Sequence, residues 1–248
     1  FDRIRMTADI RNTDITTGIT APSYIQDYDG NSYLDFVFGL SWSHDSRNSA
    51  VFPTSGGRQR VSATVTVPGS DLSYLQLAYS NKHYFPLTKG VTFALNADLG
   101  YGLAYGDEDV YPFFEHFFAG GPRSVRGFEA NSLGPRTLDA ENDPTGGNIK
   151  IVGSAELILP PPGDSFKDSA RWGAFFDIGN VFLDDNAAYD GKVSPAQGVQ
   201  LDELKYSVGL SASWLSPIGA LSVSYGFPLN DDSGDETEEF QFNLGQTF

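Results

Sequence analysis

The sequence predicts an all-β fold, a transmembrane antiparallel up-and-down β-barrel wall of about ten strands. Three observations predict it. Apolar and polar residues alternate with period two in segments of about ten residues. Short turns and long polar connections separate those segments. The chain closes on an alternating apolar strand that ends in an aromatic residue. Composition agrees: 14% of residues are aromatic and 27 are glycine, while only 19% are charged. That balance favours strands and tight turns over helices. No apolar run approaches the ~20 residues a spanning helix needs.

Ten strands are expected, near 3–17, 33–46, 58–67, 73–87, 91–105, 148–160, 170–183, 204–216, 219–229 and 239–248. In the second, Leu34, Phe36, Phe38, Leu40 and Trp42 share a face, and in the third Val61, Ala63, Val65 and Val67 do so. In the fifth, Phe93, Leu95, Ala97, Leu99 and Tyr101 oppose Thr92, Asn96, Asp98 and Gly100. The eighth is the clearest, with Tyr206, Val208, Leu210, Ala212 and Trp214 against Ser207, Gly209, Ser211 and Ser213. The ninth sets Leu221, Val223, Tyr225 and Phe227 against Ser222, Ser224 and Gly226. In the tenth, Phe240, Phe242, Leu244 and Phe248 share a face and Gly245 lies opposite, where a glycine lets the strand kink or accept a close backbone. LTKG, SPIG and VPGSD are short connections, whereas 18–32, 106–147, 184–203 and 230–238 are long and polar. Short turns at one end and long loops at the other describe an outer-membrane barrel.

A soluble β-sandwich also alternates. It is disfavoured by the length of these strands, since sandwich strands average about five or six residues. The Ser-, Gly- and Thr-rich polar faces suit a crowded lumen, and aromatics near strand ends suit membrane interfaces.

The polar face of a barrel looks inward. On 148–160, Ile149, Ile151, Ala155, Leu157 and Leu159 face out, which turns Lys150, Ser154 and Glu156 inward. On 170–183, Trp172, Ala174, Phe176 and Ile178 face out, which turns Gly173, Asp177 and Gly179 inward. The longest connection, 106–147, carries FFAGGPRSVRGFEA at 117–130. If it folds into the lumen, Arg126 is the partner of Glu156 and Asp177, because an arginine fork matches carboxylate geometry and strengthens where water is excluded. Gly127 then permits the turn and Phe128 packs on the wall. Surface arginine is common, so spacing alone leaves open an Arg126 exposed in an ordinary outer loop.

SVRGF at 124–128, with AGG at 119–121, resembles the loop motif of the outer-membrane insertase and two-partner-secretion transporter superfamily. FFDIGNVF at 175–182 and SAELILP at 154–160 resemble its two strand motifs. EEFQFNLGQTF at 238–248, FPTSGGR at 52–58 and VPGSDLSY at 67–74 are similar to the insertase branch, so the resemblance covers nearly the whole chain. It implies an inward Arg126 paired with Glu156 and Asp177, in agreement with the alternation. It also implies a sixteen-stranded barrel preceded by periplasmic POTRA domains. Residues 1–248 are then expected to be the C-terminal portion of the barrel, without the first strands and the POTRA domains. The start FDRIRM carries neither an initiator Met nor a signal-peptide stretch, as expected of a mature product or an excised piece.

The function implied is ATP-independent folding and insertion of β-barrel clients into the bacterial outer membrane, by strand-edge templating and local thinning of lipid. Its partners would be unfolded barrel clients, outer-membrane lipids and, through POTRA domains, accessory lipoproteins. The alternative is a two-partner-secretion pore, which shares the arginine motif. No enzyme, cofactor or metal site is expected. DDSGDETEE at 231–239 lacks the ligand order of a calcium loop, and GYGLAYG at 100–106 lies in a strand with no helix to cradle phosphate. His44, His83 and His116 are scattered without catalytic spacing. A formal charge of −16 argues against nucleic acid.

Overall fold

The computed structural model describes residues 1–18, 21–106, 110–139, 141–160, 169–187, 189, 192–194, 197–216 and 219–244. The strands are β1 (Asp2–Asp14), β2 (Ser32–Asp45), β3 (Gly56–Thr66), β4 (Tyr74–Thr88), β5 (Val91–Ala104), the two-residue β6 (Gly127–Phe128), β7 (Ile149–Leu159), β8 (Ala170–Phe182), β9 (Lys205–Ser216), β10 (Gly219–Pro228), the two-residue β11 (Thr237–Glu238) and β12 (Phe240–Leu244). Ten of them form one antiparallel sheet in the order β1-β2-β3-β4-β5-β7-β8-β9-β10-β12, and β6 pairs with β11 apart from it. Each long strand therefore hydrogen-bonds to its neighbours in sequence, the up-and-down meander that alternation predicts. Among the described residues β1 pairs only with β2, and β12 only with β10. The only α-helix among them is the single turn Ser23–Gln26.

Register aligns the apolar positions into one belt. Leu99 lies opposite Tyr79 on one side and Ile151 on the other, and Val223 lies between Ala212 and Phe242. Leu40, Leu77, Leu99, Leu210 and Phe242 are each more than 40% exposed, whereas the opposite face buries Asp177, Ser207, Ser224 and Gln241. Apolar outside and polar inside inverts the order of a water-soluble sheet and is the order of a wall in lipid. This disposes of the sandwich.

β2 and β3, β4 and β5, β7 and β8, and β9 and β10 join at one end of the sheet. β1 and β2, β3 and β4, β5 and β7, β8 and β9, and β10 and β12 join at the other, the outer side in barrels of this kind. LTKG sits at the short-turn end as expected, and Pro217 and Ile218 of SPIG lie outside the described residues. VPGSD does not sit at the short-turn end: it lies among the long loops. It stays tight because its side chains take over from the β-ladder. Ser70 Oγ accepts from Phe36 N–H at 2.9 Å, Asp71 Oδ2 from Leu34 N–H at 2.7 Å, and Asp35 Oδ1 from Leu72 N–H at 2.9 Å.

The 105–148 connection turns back inside the sheet, contributes Tyr111 to one apolar core and supplies most of a second. At the long-loop end Tyr24, Tyr74, Tyr111, Leu183, Tyr189 and Val193 pack together. Deeper, Ala119, Val125, Phe128 and Leu133 of the loop pack on Val152 of β7 and Val181 of β8.

Candidate functional site

Arg126 occupies the middle of that loop and its guanidinium is held on three sides. Nε donates to Asp177 Oδ2 at 2.7 Å and Nη2 to Asp177 Oδ1 at 2.8 Å, a two-pronged pair. The Arg126 backbone N–H donates to Asp177 Oδ2 as well, at 3.1 Å. Nη1 lies 3.5 Å from Glu156 Oε1, a longer ion pair, and Nη2 donates to Ser154 Oγ at 3.2 Å. The carboxylates have further support: Ser154 donates to Asp177 at 2.6 Å and Ser211 to Glu156 at 2.5 Å. The guanidinium carbon sits 3.5 Å from the centroid of the Phe175 ring, a cation–π contact worth ~2 kcal/mol where water is excluded.

These groups meet because pleat and register bring them to one level. Ser154 of β7 is directly opposite Asp177 of β8, and Glu156 is opposite Phe175. Burial makes the pairing obligatory, since the Asp177 side chain is 0% exposed and an unpaired charge there would be costly.

Two glycine positions let the loop come this close. Gly127 has φ +92, and a Cβ on it would meet the Gly226 carbonyl oxygen of β10 at 3.1 Å. Gly209 of β9 leaves room for the Phe175 ring, where a Cβ would stand 2.6 Å from its tip and 2.1 Å from Tyr225 O. Beyond Gly127 the loop is stitched to the last strands. Phe128 pairs with Thr237, and its carbonyl accepts from Gln241 Nε2 of β12 at 2.7 Å. Phe128 itself is fully buried.

At its outer part the loop is fastened by His116. Its Nδ1 is 2.9 Å from the Thr145 carbonyl and its Nε2 is 3.3 Å from the Tyr189 hydroxyl, with the ring stacked on Tyr111. Burial lowers its pKa to about 4, against a smaller opposing effect of the Thr145 carbonyl. Burial likewise pushes the Tyr24 hydroxyl up to about 12.

Of the positions expected from sequence, Arg126, Gly127, Phe128, Glu156 and Asp177 come together. Phe240, Phe242 and Leu244 lie apart from them, on the outward face of β12, more than half exposed. Gly245 and Phe248 lie outside the described residues. Sequence reasoning missed Phe175 and Ser211 as neighbours of the arginine. Alternation held the signal for Phe175, which stands two residues before Asp177 and so on the same face. Ser211 had none, because its reach to Glu156 crosses β8. Among the described residues no cluster of His, Cys, Asp and Glu is placed to hold a metal ion.

Comparison with known proteins agrees with this architecture. The model of the Omp85 superfamily domain matches residues 3–248. The outer membrane protein assembly factor BamA of Neisseria meningitidis serogroup B is 34% identical over 100% of this chain and 34% of that protein. The sorting and assembly machinery component 50 homolog of Mus musculus is 29% identical over 82% of this chain and 44% of that protein. The crystal structure of BamA from Haemophilus ducreyi lacking POTRA domains 1-3 superposes with a TM-score of 0.74 at 31% identity, over 87% of this chain and 43% of that one. The chain thus spans less than half the length of these relatives. With a family match running from residue 3 to residue 248, the chain belongs to the Omp85 superfamily.

Proposed function

We propose that this chain is the C-terminal part of the membrane barrel of an outer-membrane protein assembly factor. Its protein folds β-barrel clients and inserts them into the bacterial outer membrane without ATP. The likeness over the whole chain to a bacterial assembly factor carries this reading, and a sorting and assembly component from an animal supports it. The physical task is to lower the barrier that unpaired strand N–H and C=O groups meet in hydrocarbon. A barrel edge that offers its own groups lets client strands pair as they enter, which is strand addition in a membrane. Thinning of nearby lipid shortens the path. Accessory lipoproteins would dock through POTRA domains.

In this reading Arg126 carries out no chemistry. The loop is a brace. Its fork on Asp177 and its ladder to β11 tie β8 to the closing strands, which keeps the wall in a working shape. The test is to reconstitute the intact protein in liposomes with a urea-unfolded barrel client. Client folding should run faster than in protein-free liposomes, and equal rates would sink the reading.

A further inference from the structure

The arginine loop meets β11 through a ladder of two residues, and β11 belongs to a segment that repels itself. DDSGDETEE at 231–239 carries six acids in nine residues. What gathers it is a lysine. Lys205 opens β9, opposite Gly179 of β8 and two residues from Ser207, the register partner of Asp177. Its ammonium directs all three donors at this segment and the residue before it. Nζ lies 2.6 Å from Asp232 Oδ2, 2.6 Å from Asp235 Oδ2 and 3.4 Å from the Asn230 carbonyl oxygen.

The two ion pairs are unequal. The Lys205 and Asp235 side chains are 9% and 13% exposed, whereas that of Asp232 is 85% exposed. An exposed pair contributes little, but breaking a buried one leaves a charge without its partner. Asp235 is therefore the anchor. It also accepts from the Asp232 N–H at 2.7 Å, which closes the turn. Asn230 fastens the near side: its Oδ1 accepts from Tyr206 N–H and its Nδ2 donates to the Leu204 carbonyl, each at 2.7 Å. From Asp235 the chain runs straight into the ladder. The Glu236 carbonyl accepts from the Glu129 N–H of the arginine loop at 2.9 Å, and the Glu239 carbonyl from the Gly226 N–H of β10 at 2.8 Å. Arg136 pairs with the Glu236 carboxylate at 3.1 Å, but that carboxylate is half exposed and holds less firmly.

We propose that Lys205 is a positioning residue of this barrel: by fixing Asp235 it sets where β11 meets β6, and so where the arginine loop sits against the closing strand. A ladder of two residues has too few bonds to hold its own register, and a slip by one residue would turn its side chains to the other face. A single residue, Glu236, separates Asp235 from the first paired residue, Thr237, so a displaced clasp displaces the ladder. Lys205 thus acts on the loop from the outer end while Arg126 holds it from within. The inference rests on the insertase reading for its effect on clients, and on the geometry alone for the clasp.

The experiment is hydrogen exchange by mass spectrometry on the intact protein in detergent, paired with client folding in liposomes. Lys205→Met should raise exchange of the Glu129 amide at least ~10-fold, while the β4–β5 hairpin keeps its rates. Client folding should slow in the same variant. Lys205→Arg, which keeps the charge, should restore most of both readouts. Asp235→Asn should act like Lys205→Met, and it replaces that variant if Lys205→Met fails to fold. Asp232→Asn should change exchange by no more than ~3-fold, because its pair is exposed. An unchanged Glu129 amide, a rise spread equally over all strands, or Asp232→Asn matching Asp235→Asn would each overturn the proposal. So would unchanged client folding in Lys205→Met when the unaltered protein does speed its clients. If the unaltered protein fails to speed clients, the insertase reading falls alone, and the exchange rates still decide the clasp.

Discussion

Asp177 is fully buried in the barrel wall, where a bare carboxylate would forgo several kcal/mol of hydration. The Arg126 fork, the Arg126 backbone N–H and the Ser154 hydroxyl together replace that hydration shell. Removing the Arg126 side chain leaves the Asp177 charge without its ion partner, at a cost of about 3–5 kcal/mol. Alternation made the two acids legible, because an inward position follows from its outward neighbours. It gave less warning of Phe175, since an apolar residue beside Phe176 reads as wall on either face. At the outer end of the loop the decisive residue is His116. Its pKa is lowered from 6.5 to about 4 in the folded protein, so the packed loop binds fewer protons than the opened one between those values. The loop packing is therefore fully stable above about pH 6.5 and loses stability as pH falls toward 4. Protease cleavage within 105–148 should rise across that window. His116→Gln should flatten the dependence, and an unchanged profile would remove His116 from the account.

At the scale of elements, strand positions follow from period two because each apolar face must meet lipid. The ten expected strands lie within a few residues of the observed ones for that reason, the last four residues of the tenth, 245–248, lying outside the described residues. Connections are less legible, since a loop's path depends on contacts far away in sequence. VPGSD shows it: Ser70 and Asp71 fold back on β2, and nothing local to the turn announces which end it occupies. The descent of 105–148 into the lumen was readable only through its arginine. Its fit depends on small residues in the wall. Gly209→Ala should force the Phe175 ring off the guanidinium, because the new methyl would stand 2.6 Å from the ring and 2.1 Å from Tyr225 O. The expected result is a lower temperature for the heat-modifiability transition, by an amount of order 1–3 kcal/mol in stability, as for overpacked cores. Phe175→Leu in the same chain should restore part of it, whereas a transition at the original temperature for Gly209→Ala would deny the contact its importance.

The whole molecule combines a lipid belt outside, a braced polar lumen inside and an acidic outer surface. The belt sets a clear asymmetry. Leu99→Arg, on the outward face of β5, should cost ~2–4 kcal/mol in a urea titration in lipid. Ser80→Arg faces inward opposite Asp98 and should cost much less. Similar costs for the two would contradict the assignment of faces. The family's activity, by contrast, is written nowhere in the belt: alternate apolar residues serve any barrel, the arginine loop and its two strand motifs narrowed the reading to the superfamily, and FPTSGGR, VPGSDLSY and EEFQFNLGQTF narrowed it to the insertase branch. The central claim is that this loop is held inward by Arg126 on Asp177 and that the wall works only when so braced. The most direct measurement is a charge swap in the intact protein, reading client folding in liposomes together with heat-modifiability. Arg126→Glu alone and Asp177→Arg alone should each depress both readouts, and the two combined should recover a substantial part of each. Unchanged readouts for Arg126→Glu, or a combined variant no better than either single one, would contradict the account.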